Sequence, residues 1–285
     1  MQVKSRIMFH VLLNRFHAKA QLKFLKALPA KTAKELGEIK VDADDASPLL
    51  LQPTSLIEKI HYSWFIPSFE KLPKAILPSV LASLPHRHAI GLSKRTGYAI
   101  SEKVPSQPVK TFLINTLYTH FGRKEILPLL FLPTTSLSVL LTLAKEELIK
   151  VINFLGLYDL AGGIRKILDQ KTVKNIYAAL SVDQQRFLRS CLNYKEKFTL
   201  PPLGLDQWNG DPKKLDQLLH KRGMLRLGRA LSGHHPDFAW HVVHILDAGR
   251  GEALLKYCQK EATPDVSEVF TNQTIKVINY INKKS

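Results

Sequence analysis

The chain of 285 residues contains 41 Lys and Arg against 24 Asp and Glu, which gives a net charge of +17. Hydrophobic residues make up 45% and charged residues 23%, a balance that is typical of folded domains and argues against a disordered chain. The two cysteines, Cys191 and Cys258, form no C-x-x-C pair, which argues against a zinc knuckle or a disulfide framework and fits a reducing cytosol. The positive charge favours nucleic acid, lipid headgroups or an acidic protein as partner without choosing among them.

Residues 1–40 are predicted to form a basic amphipathic helical arm. No acidic residue precedes Glu35. Four cations fall along one side of a helix: Arg15, Lys19, Lys23 and Lys26. Apolar side chains fall near the other side: Phe9, Leu13, Phe16, Ala20 and Phe24. Such a helix binds an acidic membrane surface, docks on an acidic protein, or simply presents a solvated face. It also resembles a transit peptide, although it lacks the serine enrichment of one.

A short pattern recurs along the chain, in which a leucine is followed by proline or serine. The leucines are Leu28, Leu84, Leu132, Leu180 and Leu231, which lie 56, 48, 48 and 51 residues apart. Each pattern predicts that one helix ends at the leucine and the next begins at the proline, which is tolerated at a first helical position. The fourth copy replaces proline by Ser181, which has the spacing of a capping box with Gln184. The alternative is that Leu-Pro is a common helix join and that the spacing arises by chance.

Between these joins the apolar residues keep helical spacing, and no strand period is sustained. The pattern predicts an all-α fold, built as a right-handed superhelical, armadillo-like stack of short helical modules. Connectors rich in turn formers divide the chain into the arm (1–40) and modules at 55–93, 109–193 and 211–285. A charge-free stretch at 126–144 approaches the length of a membrane span. Its prolines, Pro128 and Pro133, favour a turn instead.

The strongest candidate for chemistry lies near the carboxy terminus. If a helix begins near Pro236, Asp237, His241 and His244 share one face, and two imidazoles with a carboxylate are able to bind a transition metal. The apolar stripe lies on the opposite side of that helix. The interpretation that we favour is therefore a contact helix that meets solvent or a partner through this face, with Trp240 as an interface anchor.

Catalytic motifs are missing from the sequence. We find no Gly-x-Ser-x-Gly elbow, no His-Glu-x-x-His and no complete phosphate loop. The sequence therefore predicts a protein that is not an enzyme and needs no cofactor. Two alternatives stay open: a basic helical protein that binds nucleic acid, and a metal-dependent enzyme centred on Asp237, His241 and His244.

Two groups of segments resemble known families. Residues 144–157, 164–168 and 179–185 resemble the helical modules of the flagellar rotor switch protein, which also join short helices through Leu-Pro-x-x-x-Ala turns. Residues 235–240 and 246–251 resemble chlamydial-type sorting-platform accessory proteins of type III secretion, of the SctK kind. The charged torque helix of the rotor switch protein has no counterpart here, so a motor role is not implied.

The resemblance implies a cytosolic adaptor that links an inner-membrane ring to the export ATPase and cargo-sorting proteins. Its partners would be secretion-apparatus proteins, with a possible peripheral membrane contact at the cytoplasmic face of the inner membrane. The residues expected to bind partners are Arg15, Lys19, Lys23, Lys26, Asp237, Trp240, His241 and His244. The resemblance carries over no catalytic residue.

Overall fold

A computed structural model describes residues 3–39, 53–121, 126–194, 201–205, 208–258 and 263–283 of the chain. Every regular element in these ranges is a helix, which confirms the all-α prediction. The chain divides into two units, Met1–Thr134 and Thr135–Ser285. The division into an arm and three modules stays a prediction.

In unit 1, several short helices pack against helix α8 (Gln107–Phe121). Helix α8 packs against α4, α5 and α6, and α7 packs against α6. Phenylalanines and leucines, including Phe65, Phe69 and Leu117, fill the space between them and are fully buried. The helices are α1 (Val3–His17), α2 (Gln21–Lys26), α3 (Ala30–Gly37), α4 (Pro53–Lys59), α5 (Ile66–Glu70), α6 (Leu77–Ser83), α7 (His86–Thr96) and α8 (Gln107–Phe121).

Unit 2 is organised around a pair of long helices. Helix α9 has its most extensive contact with α12 and also packs against α11 and α15, while α12 packs against α14 and α15. Since α9 is buried on most sides, its sequence is apolar nearly all round. The helices are α9 (Lys145–Ile164), α10 (Gln170–Ala179), α11 (Val182–Leu192), α12 (Pro212–Leu231), α13 (Pro236–Ile245), α14 (Ala248–Cys258) and α15 (Pro264–Asn282).

The recurring leucines mark helix joins in three of the five copies. Leu84 and Leu180 cap one helix, and the following residue, Pro85 or Ser181, is the N-cap of the next. Pro29 is likewise the N-cap of α3, but the C-cap of α2 is Ala27, one residue before Leu28. The prolines precede the first helical residue, with an extended ψ of 137° at Pro29 and 141° at Pro85, instead of occupying that residue as predicted. The Ser181 capping box forms as predicted, because Ser181 and Gln184 accept each other's backbone N–H.

Two copies of the pattern do not mark such a join. No α-helix begins at Pro133, because the chain from 126 to 144 forms only two short 3-10 turns, Leu129–Phe131 and Ser138–Thr142. After Leu231 the next helix begins only at Pro236. The 3-10 turns agree with the prediction of a turn at 126–144. Within the described ranges, no helix combines the length and the apolar character needed to cross a bilayer.

Two glycines allow α9 and α12 to approach at backbone distance. A Cβ atom at Gly156 would lie 2.2 Å from the carbonyl oxygen of Leu219, and one at Gly223 would lie 1.7 Å from that of Ile152. Both distances are far shorter than a van der Waals contact. Any side chain larger than hydrogen would therefore force these helices apart.

A buried arginine joins α12 to both of its long neighbours. Arg226 donates to Asp159 on α9 at 2.7 Å and to the side-chain oxygen of Gln273 on α15 at 2.6 Å. The side chains of Arg226 and Asp159 are 0% and 7% exposed. The guanidinium also lies 5.4 Å from the ring centre of Tyr158 and 5.3 Å from that of Phe270. The charge of Arg226 is thus removed from water but compensated by a carboxylate, an amide oxygen and two rings.

The glycine contact gives a matched pair of substitutions. Gly223→Ala is expected to lower the free energy of unfolding by about 1–3 kcal/mol, because the new methyl group overlaps the backbone of α9 and the two helices must shift apart. Gly162→Ala on α9, with nothing within 4 Å of the added Cβ, is expected to raise it by up to about 1 kcal/mol. Urea unfolding measures both. Equal effects of the two substitutions would contradict the close contact.

The buried ion pair gives a second prediction. Arg226→Met leaves the carboxylate of Asp159 buried without its guanidinium, and the expected loss is about 3–5 kcal/mol of unfolding free energy. Adding Asp159→Leu removes the orphaned charge and is expected to restore most of that loss. Chemical unfolding followed by circular dichroism measures both variants. If the double variant is no more stable than Arg226→Met alone, the orphaned charge of Asp159 is not the cause of the lost stability.

Candidate partner-binding surfaces

The amino-terminal arm is helical but not one continuous helix, which corrects the sequence prediction. Helix α1 ends at His17, a 3-10 turn spans Ala18–Ala20, and α2 follows. The side chain of Gln21 donates to Asn14 at 3.1 Å, and the rings of His17 and Phe24 lie 4.9 Å apart. Residues seven apart in a straight helix are separated by about 10 Å along its axis. The ring contact therefore exists because the chain bends at the turn.

The four predicted cations of the arm are all exposed, and apolar side chains are exposed among them. Phe16 is 64% exposed and Leu22 is 75% exposed, and Leu12 and Phe24 are exposed as well. The predicted apolar side is therefore split, because Leu13 is buried whereas Phe16 is not. We define the arm surface as Arg15, Lys19, Lys23 and Lys26 together with Leu12, Phe16, Leu22 and Phe24.

Cations and apolar groups on this surface are direct neighbours. The guanidinium of Arg15 lies 5.3 Å from the ring centre of Phe16. Leu22 and Lys26 line one shallow, open groove of about 430 Å³ with Leu25, Leu28, Ala30 and Ala33. Glu35, the first acidic residue of the chain, is paired with Arg6 at 2.7 Å. Apolar and positively charged side chains thus lie side by side on the arm surface.

The carboxy-terminal candidates are buried, which corrects the prediction of an exposed contact face. Asp237, Trp240, His241 and His244 are 5–8% exposed in α13. The prediction was wrong because α13 packs against α14 and against the turn at 138–142, so its polar side is covered too. His244 Nδ1–H donates to the carbonyl oxygen of Trp240 at 2.7 Å, and the two rings stack at 3.9 Å. His244 and Trp240 therefore contact each other within α13.

The metal alternative requires at least three ligands that converge on one point. Among the described residues, no three His, Cys, Asp or Glu side chains are arranged to hold a metal ion. Asp237, His241 and His244 therefore do not form such a group, although they share one helix. Burial raises the pKa of the Cys258 thiol to about 12. This thiol therefore stays protonated at neutral pH, and a protonated thiol is a poor nucleophile and metal ligand.

A cleft of about 340 Å³, which no sequence pattern indicates, lies between α9, α12 and α14. His220 Nδ1–H donates to Asn153 at 2.7 Å, and the Nε2 atom of His220 is buried without a hydrogen-bond partner. Burial, and then the charge of Arg250, lowers the pKa of His220. Asp247 at the edge of this cleft pairs with Arg250 at 2.6 Å and with Lys145 at 3.4 Å.

The Asp247 cluster gives a pH prediction. Burial raises the pKa of Asp247, but hydrogen bonds and charge from Arg250, with the charge of Lys145, outweigh this and lower the pKa from 3.8 to about 2. A lowered carboxyl pKa stabilises the fold above the ordinary value, and that stability is lost as pH falls from 3.8 towards 2. Arg250→Ala is expected to raise the pKa of Asp247 and to flatten this pH dependence. Carboxyl NMR titration checks the pKa, and an unchanged value would contradict the pairing.

The chain matches no protein-family model, and no curated protein or solved structure is significantly similar to it. The likeness to type III secretion proteins therefore stays a prediction.

Proposed function

We propose that this protein is a non-enzymatic adaptor of a type III secretion or flagellum-like apparatus. It links an inner-membrane ring to cytosolic export and sorting components. Its helices stack as armadillo-like modules, and it binds partners through exposed faces of those modules. It acts at the cytoplasmic face of the inner membrane.

The observation that carries this proposal is the arm surface. Monomeric proteins rarely expose neighbouring large apolar side chains unless the patch binds something. Here Phe16 and Leu22 are mostly exposed, so burying them against a partner would be favourable at about 25 cal/mol per Å². The adjacent cations, with no acidic residue before Glu35, select a partner of negative potential. The arm surface therefore fits docking on an acidic component of a larger assembly.

The joins between helices support the choice of machine. Leu84 with Pro85, and Leu180 with Ser181, connect short helices through an extended turn, which a side-chain hydrogen bond caps at Ser181. This is the type of join that underlies the resemblance to the rotor switch modules.

The arm surface is the part to test. Replacing Arg15, Lys19, Lys23 and Lys26 by Glu reverses its charge, and Phe16→Ala with Leu22→Ala removes exposed apolar area. Both variants are expected to lose partners in co-purification from native cells, with partner proteins identified by mass. Binding by the wild type is expected to weaken as salt rises, because exposed charges are screened.

A control variant changes the same number of charges elsewhere: Lys171, Lys174, Lys213 and Lys214, all exposed, are replaced by Glu. This variant is expected to retain the partners of the wild type. Recovery of membrane-ring or export components supports the proposal. Recovery of ribosomal or nucleoid proteins alone would overturn it and favour nucleic-acid binding.

A further inference from the structure

Unit 2 contains a groove between α9, α11 and α15, with a volume of about 360 Å³. Tyr158 and Phe187 form its floor and are 8% and 4% exposed. Tyr194 and Tyr280 form part of its walls. An aromatic floor at this depth provides an apolar pocket for one side chain of a partner.

The rings of the groove are packed mainly edge to face. The ring centres of Tyr158 and Phe187 are 5.8 Å apart at 88°, and those of Tyr158 and Tyr194 are 5.6 Å apart at 75°. The ring centres of Phe187 and Tyr280 are 4.9 Å apart at 54°. Such pairs hold each other in fixed orientations. The groove is therefore preformed.

Hydrogen bonds from side chains to backbone carbonyl oxygens hold the walls in place. The Nη2 atom of Arg165 donates to the carbonyl oxygens of Cys191, Leu192 and Tyr194 at 3.0, 2.8 and 2.6 Å. These carbonyls lie at and beyond the carboxy-terminal end of α11, where a cation is favourable. On the opposite wall, the Tyr280 hydroxyl donates to the carbonyl oxygen of Asp183 at 3.2 Å.

The rim of the groove is positive. Lys276 and Lys283 lie on its edge and are exposed, and no residue that lines the groove is acidic in the part of the chain that the structure describes. The two lysines are seven residues apart at the end of α15, which corresponds to about 10 Å along a helix. The ammonium of Lys276 lies 5.4 Å from the ring centre of Tyr194.

We propose that this groove binds an acidic peptide segment of a partner protein, with one apolar side chain on the aromatic floor and carboxylates at Lys276 and Lys283. The occupant is a peptide and not a nucleic acid strand, because base stacking needs an open ring face. Lys276 covers the face of Tyr194, and the floor rings meet edge to face. The proposal rests on the proposed function only in that the occupant belongs to a protein, since the arm surface lies in the other unit.

The test uses the full chain and a set of fluorescent helical peptides. Each peptide carries two glutamates seven residues apart, to match the two lysines, with Phe, Leu or Trp between them. Matched peptides carry glutamine in place of glutamate. The glutamate peptides are expected to bind about tenfold more tightly than the glutamine peptides and to weaken as salt rises.

Variants locate the site. Lys276→Glu with Lys283→Glu is expected to weaken binding of the glutamate peptides by about tenfold or more, because attraction becomes repulsion. Tyr194→Ala is expected to weaken both peptide series by removing an apolar wall. Lys171→Glu with Lys174→Glu, the same charge change on α10, is expected to leave the affinity unchanged. Near-ultraviolet circular dichroism verifies that each variant is folded.

Three results would overturn the proposal: no binding by any glutamate peptide, equal binding by the glutamine series, or an equal loss in the α10 variant. Tighter binding of a single-stranded oligonucleotide, lost in the Lys276→Glu, Lys283→Glu variant, would assign the groove to nucleic acid. The arm variants are tested with native partners and the groove variants with peptides. Failure of one proposal is therefore distinguishable from failure of the other.

Discussion

The close crossing of α9 and α12 is the constraint on which unit 2 depends. Glycines at 156 and 223 bring each helix against a carbonyl oxygen of the other. At this separation the Arg226 side chain of α12 reaches Asp159 on α9 within 2.7 Å. A buried guanidinium without its carboxylate costs several kcal/mol. Sliding either helix by one residue would remove the pairing, so the ion pair specifies the alignment that the glycines permit.

The same arginine connects this core to the proposed peptide groove. Arg226 also donates to Gln273 on α15, and this buried hydrogen bond contributes to the alignment of α15 against α12. Lys276 and Lys283 follow Gln273 on that helix, by three and ten residues. The alignment of α15 therefore determines where the two ammonium groups stand relative to the aromatic floor. A core interaction that looks purely structural thus sets the geometry of a surface.

Helix starts could be predicted from the sequence because capping is a local interaction. Ser181 and Gln184 satisfy each other's backbone N–H groups only three residues away. The bend in the arm could not be predicted, because Ala18–Ala20 is a sequence that favours a helix. The ring contact between His17 and Phe24 forms only when the chain turns there.

The prediction of an exposed face on α13 was wrong because the deciding neighbours are distant in sequence. A helical wheel places the imidazole of His244 on the polar side of α13, but it cannot show that a second surface covers that side. Arg226 was missed for the same reason, because Asp159 is 67 residues away and Gln273 is 47 residues away. In the sequence of α12, an arginine among leucines predicts an exposed position. Only the fold shows that the side chain of Arg226 is fully buried.

The high net charge becomes more informative once the cations are sorted by what they contact. Arg226 and Arg250 neutralise carboxylates, and Arg165 holds carbonyl oxygens at the end of a helix. These cations serve the fold. Arg226 also lies near two aromatic rings, but it is buried. Arg15 and Lys276 lie over the rings of Phe16 and Tyr194 at the surface, beside other exposed cations. The cation attracts a negatively charged group of a partner, and the ring provides an apolar contact beside that group. Both proposed surfaces combine these two features, which suit acidic partners that also carry apolar side chains.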